Sequence, residues 1–458
     1  METEIKKNDN SFLGTEPVGR LLFRLAVPTV VAGLVNMLYN IVDRIYIGHM
    51  PDDGTLALTG VGVCLPVILI VSAFACFVSS GGAPRASIFM GKGDKESAER
   101  TLGGCFTFQC VISVVLTVLL LIFGERLLIL FGAGTETIGY AVDYMNIYVL
   151  GTIFVELTLG LNTFITAQGF AVFGMITVLI GAVTNILLDP LFIFAFGMGV
   201  RGAALATVIS QMISCVWAIA FLCGKKTVLR LKKEYLRPSA KLLLPCIALG
   251  TATFIMQASE SAISACFNSS LKLYGGDIAV GAMTILSSVM QFAMLPLQGI
   301  AQGAQPILSF NFGAKNMERV KKTFKCLLCV CLGYSVLLWG TVMLFPEVFA
   351  GIFTPDAELI EFTSRALRMY LAALFMFGIQ IACQMTFVSI GNAVSSIIVA
   401  VTRKFVLLIP LIYILPRFIS DKTAAVYLAE PTADFIAVTF TSILFFFQFR
   451  KALKQSAR

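Results

Sequence analysis

The chain has 458 residues, of which 58% are hydrophobic and only 13% charged. Soluble domains are roughly 45–50% apolar and about 25% charged, so the composition excludes an ordinary soluble enzyme and points to a polytopic membrane protein. The formal net charge of +8 would suit a nucleic-acid partner, but the placement of the basic residues along the chain excludes one.

In chain order, residues 1–20 are polar and carry no signal-peptide core, so they read as a cytoplasmic segment. A window of about 20 apolar residues crosses a bilayer. Twelve such runs follow, at 21–48, 57–82, 101–123, 138–164, 172–196, 202–223, 241–268, 277–305, 324–346, 361–388, 393–416 and 424–448. They divide the chain into an N-lobe (21–223), a basic linker (224–240), a C-lobe (241–448) and a basic tail (449–458). Pro28, Pro66, Pro190, Pro245, Pro296 and Pro410 lie inside runs and predict kinks. Lys6, Lys7, Arg20, Arg24, Arg85, Lys92, Lys95, Arg100, the linker, Lys315 to Lys325 and the tail through Arg458 fall on one side. The other side has few basic residues, mixed with acids such as Asp52, Asp53 and Asp356. The positive-inside rule makes the first side cytoplasmic and places both termini there. Most of the 12 cysteines lie in apolar runs and read as small buried hydrophobes, the CLLCVC stretch (326–331) included. The single histidine, His49, reads as a helix-end residue.

The chain repeats itself. Residues 82–102 align without gaps with 304–324, placing Pro84 on Pro306, Gly91 on Gly313, Glu96 on Glu318 and Thr101 on Thr323. Each stretch follows the second run of a set of six and reads as a short basic linker. The first runs align at a shift of 217, placing Asn36, Asn40 and Asp43 on Thr253, Gln257 and Glu260. The expected fold is therefore all-α, with twelve transmembrane helices in two six-helix lobes related by a pseudo-two-fold along the membrane normal.

Polar residues recur at helical spacing inside these runs. Asn36, Asn40 and Asp43 share a face of the first, Asn185 and Asp189 of the fifth, and Thr207, Gln211 and Ser214 of the sixth. Gln257 and Glu260 lie on the seventh, Gln291, Gln298, Gln302 and Gln305 on the eighth, and Gln380 and Gln384 on the tenth. Lipid satisfies no hydrogen bonds, so the stripes either bond neighbouring helices or line an internal cavity. Carboxylates are the sharper signal, because helix packing needs no acid: Asp43, Asp189 and Glu260, with Glu156 as a further candidate. Glu430 and Asp434 fit a solvated helix end as well as a site. Arg44, Arg365, Arg368, Arg403 and Lys404 snorkel or pair with acids. A carboxylate in a dehydrated cavity can exchange a proton for Na⁺ or for a cationic substrate. No phosphate-binding G-x-x-x-x-G-K-[ST] loop is present.

The stretches LAVPTVVAGLVNMLYNIVDRIYIG, NILLDPLFIF, GVRGAALATVISQ and QGAQPILSFNFGAKNMERVKK resemble the MATE (multidrug and toxic compound extrusion) transporters, over essentially the whole chain and nearest their MepA-like bacterial branch. The resemblance implies two lobes in a V, rocking between inward-open and outward-open states, and antiport of lipophilic cations against H⁺ or Na⁺ with no bound cofactor. It implies a cation-coupling site at Asp43, Asn185, Asp189 and Thr207, and a C-lobe acid at Glu260. The family's further acid on the tenth helix is absent, with Gln380 and Gln384 in that region, and Glu156 matches no family position. Asn36, Asn40, Glu156, Gln211, Gln257, Glu260, Gln291, Gln298, Gln380 and Gln384 are the candidate cavity residues. The expected partners are small lipophilic or cationic molecules and the bilayer of a bacterial cytoplasmic membrane, with the monomer as the working unit. The competing expectation is a flippase or exporter of a lipid-linked or endogenous metabolite. It requires Arg365, Arg368 and Arg403 to face the cavity and hold a phosphate.

Overall fold

A computed structural model describes residues 11–50 and 54–457, with side chains to 454. Lys6, Lys7, Asp52, Asp53 and Arg458 lie outside the described residues. Among those described there are helices and turns but no strand. The spanning helices are α1 (Val18–Gly48), α2 (Gly54–Gly91), α3 (Lys95–Leu130), α4 (Ile138–Leu150 with Thr152–Ala167), α5 (Ala171–Ala195) and α6 (Val200–Cys223). Next comes one continuous stretch, Ala240–Gly313, which would be far too long for one crossing. Gly276 breaks it with φ 67° and ψ −158°, a region essentially reserved for glycine. The segments before and after Gly276 are α7 and α8. Then follow α9 (Met317–Leu344), α10 (Ala357–Tyr370 with Leu374–Ser389), α11 (Ala393–Arg417) and α12 (Lys422–Lys454). Twelve spans result, as the hydropathy pattern requires.

The repeat is visible in the backbone. The two stretches expected to be linkers are mostly helical: they complete α2 and α8, turn tightly, and begin α3 and α9. Gly93 (φ 78°) makes the first turn and Lys315 (φ 58°) the second, 222 residues later. The next residue caps the following helix in each copy. Asp94 accepts the Ser97 N–H at 3.0 Å, and Asn316 accepts the Arg319 N–H at 3.1 Å. The Ser97 hydrogen bonds hold the Asp94 carboxyl below its usual range. Gly169 and Gly391, both at positive φ, repeat the same offset at the ends of α4 and α10.

Two spans are broken by large bends at positions without a proline. α4 turns by 56° at Gly151, and α10 turns by 49° between Tyr370 and Leu374. A Cβ on Gly151 would lie 2.4 Å from Val208 Cγ2, so a side chain of α6 fills that break.

The lobes meet through backbone-to-backbone crossings in the half of the molecule nearest both termini. A Cβ on Gly91 would lie 2.0 Å from the Phe310 carbonyl oxygen, and one on Gly313 would lie 2.0 Å from that of Ile88. These are the same crossing seen from its two symmetric sides. α2 also packs on α7, where a Cβ on Gly81 would lie 2.0 Å from the Cys246 oxygen and one on Gly250 would lie 1.5 Å from the Phe77 oxygen. α8 repeats this on α1, with Gly303 against Ala26 and Gly299 against Val30. Phe254 packs at a tilt against Phe74 and Phe77 just beyond, with centroids 4.9 and 5.2 Å away. The short helix Phe12–Thr15 staples this end. The Leu13 side chain is fully buried, and its carbonyl accepts Asn311 Nδ2 at 2.9 Å and Arg319 Nε at 3.2 Å. Phe12 meanwhile lies against Gly169 of the N-lobe.

Candidate functional site

α5 builds the N-lobe site by departing from α-helical geometry. Pro190 has no N–H to offer the preceding turn, and the chain continues as a π-helical segment, Leu191–Ala195. Such segments recur at functional sites. Asp189 and Asn185 sit just before it, on the inward face. Asn185 Nδ2 donates to Asp189 Oδ1 at 3.2 Å and to Thr207 Oγ1 of α6 at 3.5 Å. Asp43 of α1 faces Asp189 as a direct electrostatic neighbour. The four residues expected to form the cation site are therefore brought together. Asp43, Asn185 and Asp189 are buried. Asp43 Oδ1, Asn185 Oδ1 and Asp189 Oδ2 have no hydrogen-bond partner. Buried polar oxygens are rarely left unpaired, and two carboxylates, an amide and a hydroxyl form a hard oxygen set that suits a proton or a small cation such as Na⁺.

Tyrosines complete the surroundings, and the sequence reading missed them. Tyr39, one turn before Asp43, neighbours Asn40, Gln211, Asp43 and Asp189. Tyr144 of α4 neighbours Thr207 and Asp43 and stacks on Tyr148 at 6.1 Å. The i, i+4 spacing of Tyr39 and Asp43 was the available signal, whereas Tyr144 reads as core in any hydropathy plot.

Glu156 lies deeper in the N-lobe, on the second half of α4. It has no exposed surface, and neither carboxyl oxygen has a partner. Gln109 Nε2 donates to the Glu156 backbone oxygen at 3.0 Å and to that of Ala75 at 2.7 Å, which fixes the helix and leaves the carboxyl free. Cys76, Cys110 and Tyr148 are its electrostatic neighbours, with Gln257 beyond Cys76. Tyr148 neighbours both Glu156 and Tyr39, so it lies between this carboxyl and the Asp43 cluster.

The C-lobe carries a different arrangement. α11 contains its own π-helical segment, Thr402–Leu408, and two adjacent cations leave it in different directions. Arg403 turns to α12, with Nε 2.7 Å from Asp434 Oδ1 and a terminal nitrogen 2.9 Å from Glu430 Oε1. Its guanidinium also lies over the Phe377 ring at 4.7 Å. Lys404 turns to α7, with Nζ 2.7 Å from Glu260 Oε1. Two expectations change. Glu430 and Asp434 are buried counter-ions, not a solvated helix end, and Glu260 is an ion-paired acid. Arg403 is likewise committed to two carboxylates and is not free for a phosphate. Arg365 pairs with Glu361 on an exposed face, and Arg368 is exposed.

The remaining candidates are dispersed. Gln380 and Gln384 are buried. Gln384 Nε2 donates to Ser396 Oγ at 2.8 Å, and the Oε1 atoms of both glutamines are unpaired. Asn36 and Asn40 are exposed, and Asn40 Nδ2 donates to the Asn36 backbone oxygen. Gln291 and Gln298 are exposed on α8 and are not joined to either acidic cluster. His49 caps α1, as expected, with Nδ1 2.8 Å from the Ile45 oxygen.

The MatE family model matches residues 28–191 and 252–414, once in each lobe. The chain is 24% identical to the multidrug export protein MepA of Staphylococcus haemolyticus (strain JCSC1435) over 421 residues, covering 92% of each chain. Among solved structures, it superposes on a MATE protein in its bent conformation with a TM-score of 0.91, at 22% identity and covering 98% and 99% of the two chains. It superposes equally widely on a MOP-superfamily transporter from Pyrococcus furiosus described by the reversed polarity of its binding pocket (TM-score 0.89, 22% identity, covering 99% of each).

Proposed function

The chain belongs to the MatE family, and on that premise we propose that it is a secondary active exporter of lipophilic and cationic compounds, driven by antiport with H⁺ or Na⁺ through alternating access. It needs no bound cofactor, works as a monomer and sits in a bacterial plasma membrane with both termini cytoplasmic. The observation that carries this reading is the pair of buried carboxylates, Asp43 and Asp189, facing each other, each with one unpaired oxygen and with the unpaired Asn185 Oδ1 in the same cluster. Two neighbouring ionised acids repel in a low dielectric, so the site gains stability when a proton or Na⁺ enters. Asp43, Asn185, Asp189 and Thr207 would hold that ion. Drug export by the staphylococcal relatives supports the substrate class.

The geometry supports the following cycle. The lobes are closed at the terminal end, so with cytoplasmic termini the cavity faces outward. Entry of the ion from outside joins α1 to α5 through Asp43 and Asp189, and the π-helical segment after Pro190 gives α5 the slack to adjust. The cavity contracts and the drug leaves. Once the lobes rock and the site opens to the cytoplasm, the ion escapes and the two acids are again available to a cationic drug.

The test is ethidium movement in reconstituted vesicles, with a pH or Na⁺ gradient imposed separately. Wild type should export under one gradient, which names the ion. Asp189→Asn should lower coupled transport about 100-fold or more, because the amide can neither release a proton nor neutralise a cation. Full coupled transport by well-expressed Asp189→Asn would exclude the mechanism.

A further inference from the structure

The C-lobe contains an ammonium that the proposed cycle does not use. Lys404 is 5% exposed, whereas the carboxylate it meets, Glu260, has a side chain 57% exposed. The lysine therefore reaches out of the lobe interior to a carboxylate that another molecule can also touch. Around it the charges are unequal. Arg403 and Lys404 supply two positive charges, and Glu260, Glu430 and Asp434 supply three negative ones. Arg403 is held by two acids and by the Phe377 ring, so Lys404 is the cation held by one bond only.

A second set of acceptors lies beside it. A small cavity of about 20 Å³, apolar over most of its wall through residues such as Met256, Phe377 and Val399, also touches Gln380, Gln384 and Lys404. The Oε1 atoms of Gln380 and Gln384 are buried and unpaired. An ammonium has three donors, and two unpaired carbonyl oxygens on residues that share this cavity with Lys404 can accept from it.

We propose that Lys404 is a tethered competitor for cationic substrate: it occupies the Glu260 carboxylate when the cavity is empty, and it withdraws to the carbonyl oxygens of Gln380 and Gln384 when a substrate cation takes its place. This inference rests on the export reading. It assigns the C-lobe end of the cavity to the positive group of the substrate and makes Lys404 a specificity-determining residue. A weakly held molecule, such as a neutral solute, fails to displace the lysine and is not committed to transport.

The experiment measures equilibrium binding of tetraphenylphosphonium to the purified full chain in nanodiscs, with monodispersity and melting temperature recorded for each variant. Lys404→Met should bind roughly five-fold tighter than wild type, the scale of a partly exposed ion pair. The gain should vanish in Glu260→Gln/Lys404→Met, which separates lost competition from added apolar surface. Gln380→Leu should weaken binding when Lys404 is present and have no effect when it is Met. Lys404→Gln provides the same test if the Met variant is unstable. Unchanged or weaker binding in both Lys404 variants, or a gain that survives Glu260→Gln, would overturn the proposal. Wild-type protein that is folded but binds no tetraphenylphosphonium would instead remove the export reading on which it stands.

Discussion

Glu156 states the residue-scale problem most plainly. A carboxyl with no exposed surface and no partner at either oxygen is costly to keep, since each unsatisfied buried polar group costs about 1–3 kcal/mol. An unbranched apolar residue of similar length removes that cost. Glu156→Met should therefore raise the melting temperature, by a stability gain of about 1–2 kcal/mol, while ethidium export falls at least several-fold. A fall in melting temperature, measured by tryptophan or dye fluorescence in detergent, would show that the acid has a structural partner and is not held for transport. Residues of this kind differ in how legible they are. Asp43, Asn185 and Asp189 stand out because an acid or an i, i+4 amide–acid pair is costly inside an apolar run, and the structure joins them. Arg403 and Lys404 stand out equally, but their partners come from α12 and α7, between 27 and 144 residues away. No local pattern shows which cation meets which acid. Tyr144 gave no signal, because only its hydroxyl is polar.

At the scale of the element, the hydropathy pattern fixes the number of helices but not where they break. Twelve apolar runs yield twelve spans, and His49 ends α1 as its position suggests. The large bends of α4 and α10 lie where no proline marks them: Val208 of α6 enters the break at Gly151, and α10 breaks at the repeat-equivalent place. The linkers were misread because their charge obscured their helical continuity, although the Gly93–Asp94 and Lys315–Asn316 turns are cap sequences in retrospect. Gly276 is the element-scale position with the clearest consequence. Its backbone lies where a Cβ is not tolerated, and it alone separates α7 from α8. Gly276→Ala should cost about 1–3 kcal/mol. Gly340→Ala, inside α9 with open space around its Cβ position, should cost nothing and can gain about 0.5–1 kcal/mol. Thermal melts of the two variants side by side test this, and equal stabilities would refute the strain at Gly276.

The whole molecule is poised by its terminal-end closure. The same crossing appears on both sides of the pseudo-two-fold: Gly91 against Phe310 and Gly313 against Ile88. The pairs α2 with α7 and α8 with α1 repeat the contact at a shift of 222 on the α2–α8 side. In the proposed cycle rocking separates α2 from α7, so backbone contacts this close exist only while the lobes are shut here. A single methyl should therefore act on the equilibrium between states more than on folding. In Gly250→Ala the new Cβ would lie 1.5 Å from the Phe77 oxygen. Relief requires α7 to move away, as overpacking generally forces. Cys246, one turn earlier on α7 and fully buried under Gly81, reports the result. Maleimide labelling of Cys246, read by peptide mass spectrometry, should rise about ten-fold in Gly250→Ala, a population shift of about 1.4 kcal/mol. Leu13→Ala removes the staple on the same face and should raise labelling in the same direction without touching α2 or α7. If labelling stays at the wild-type level in both variants while the protein remains folded, the terminal-end crossing is a permanent core and the lobes must separate about a different axis.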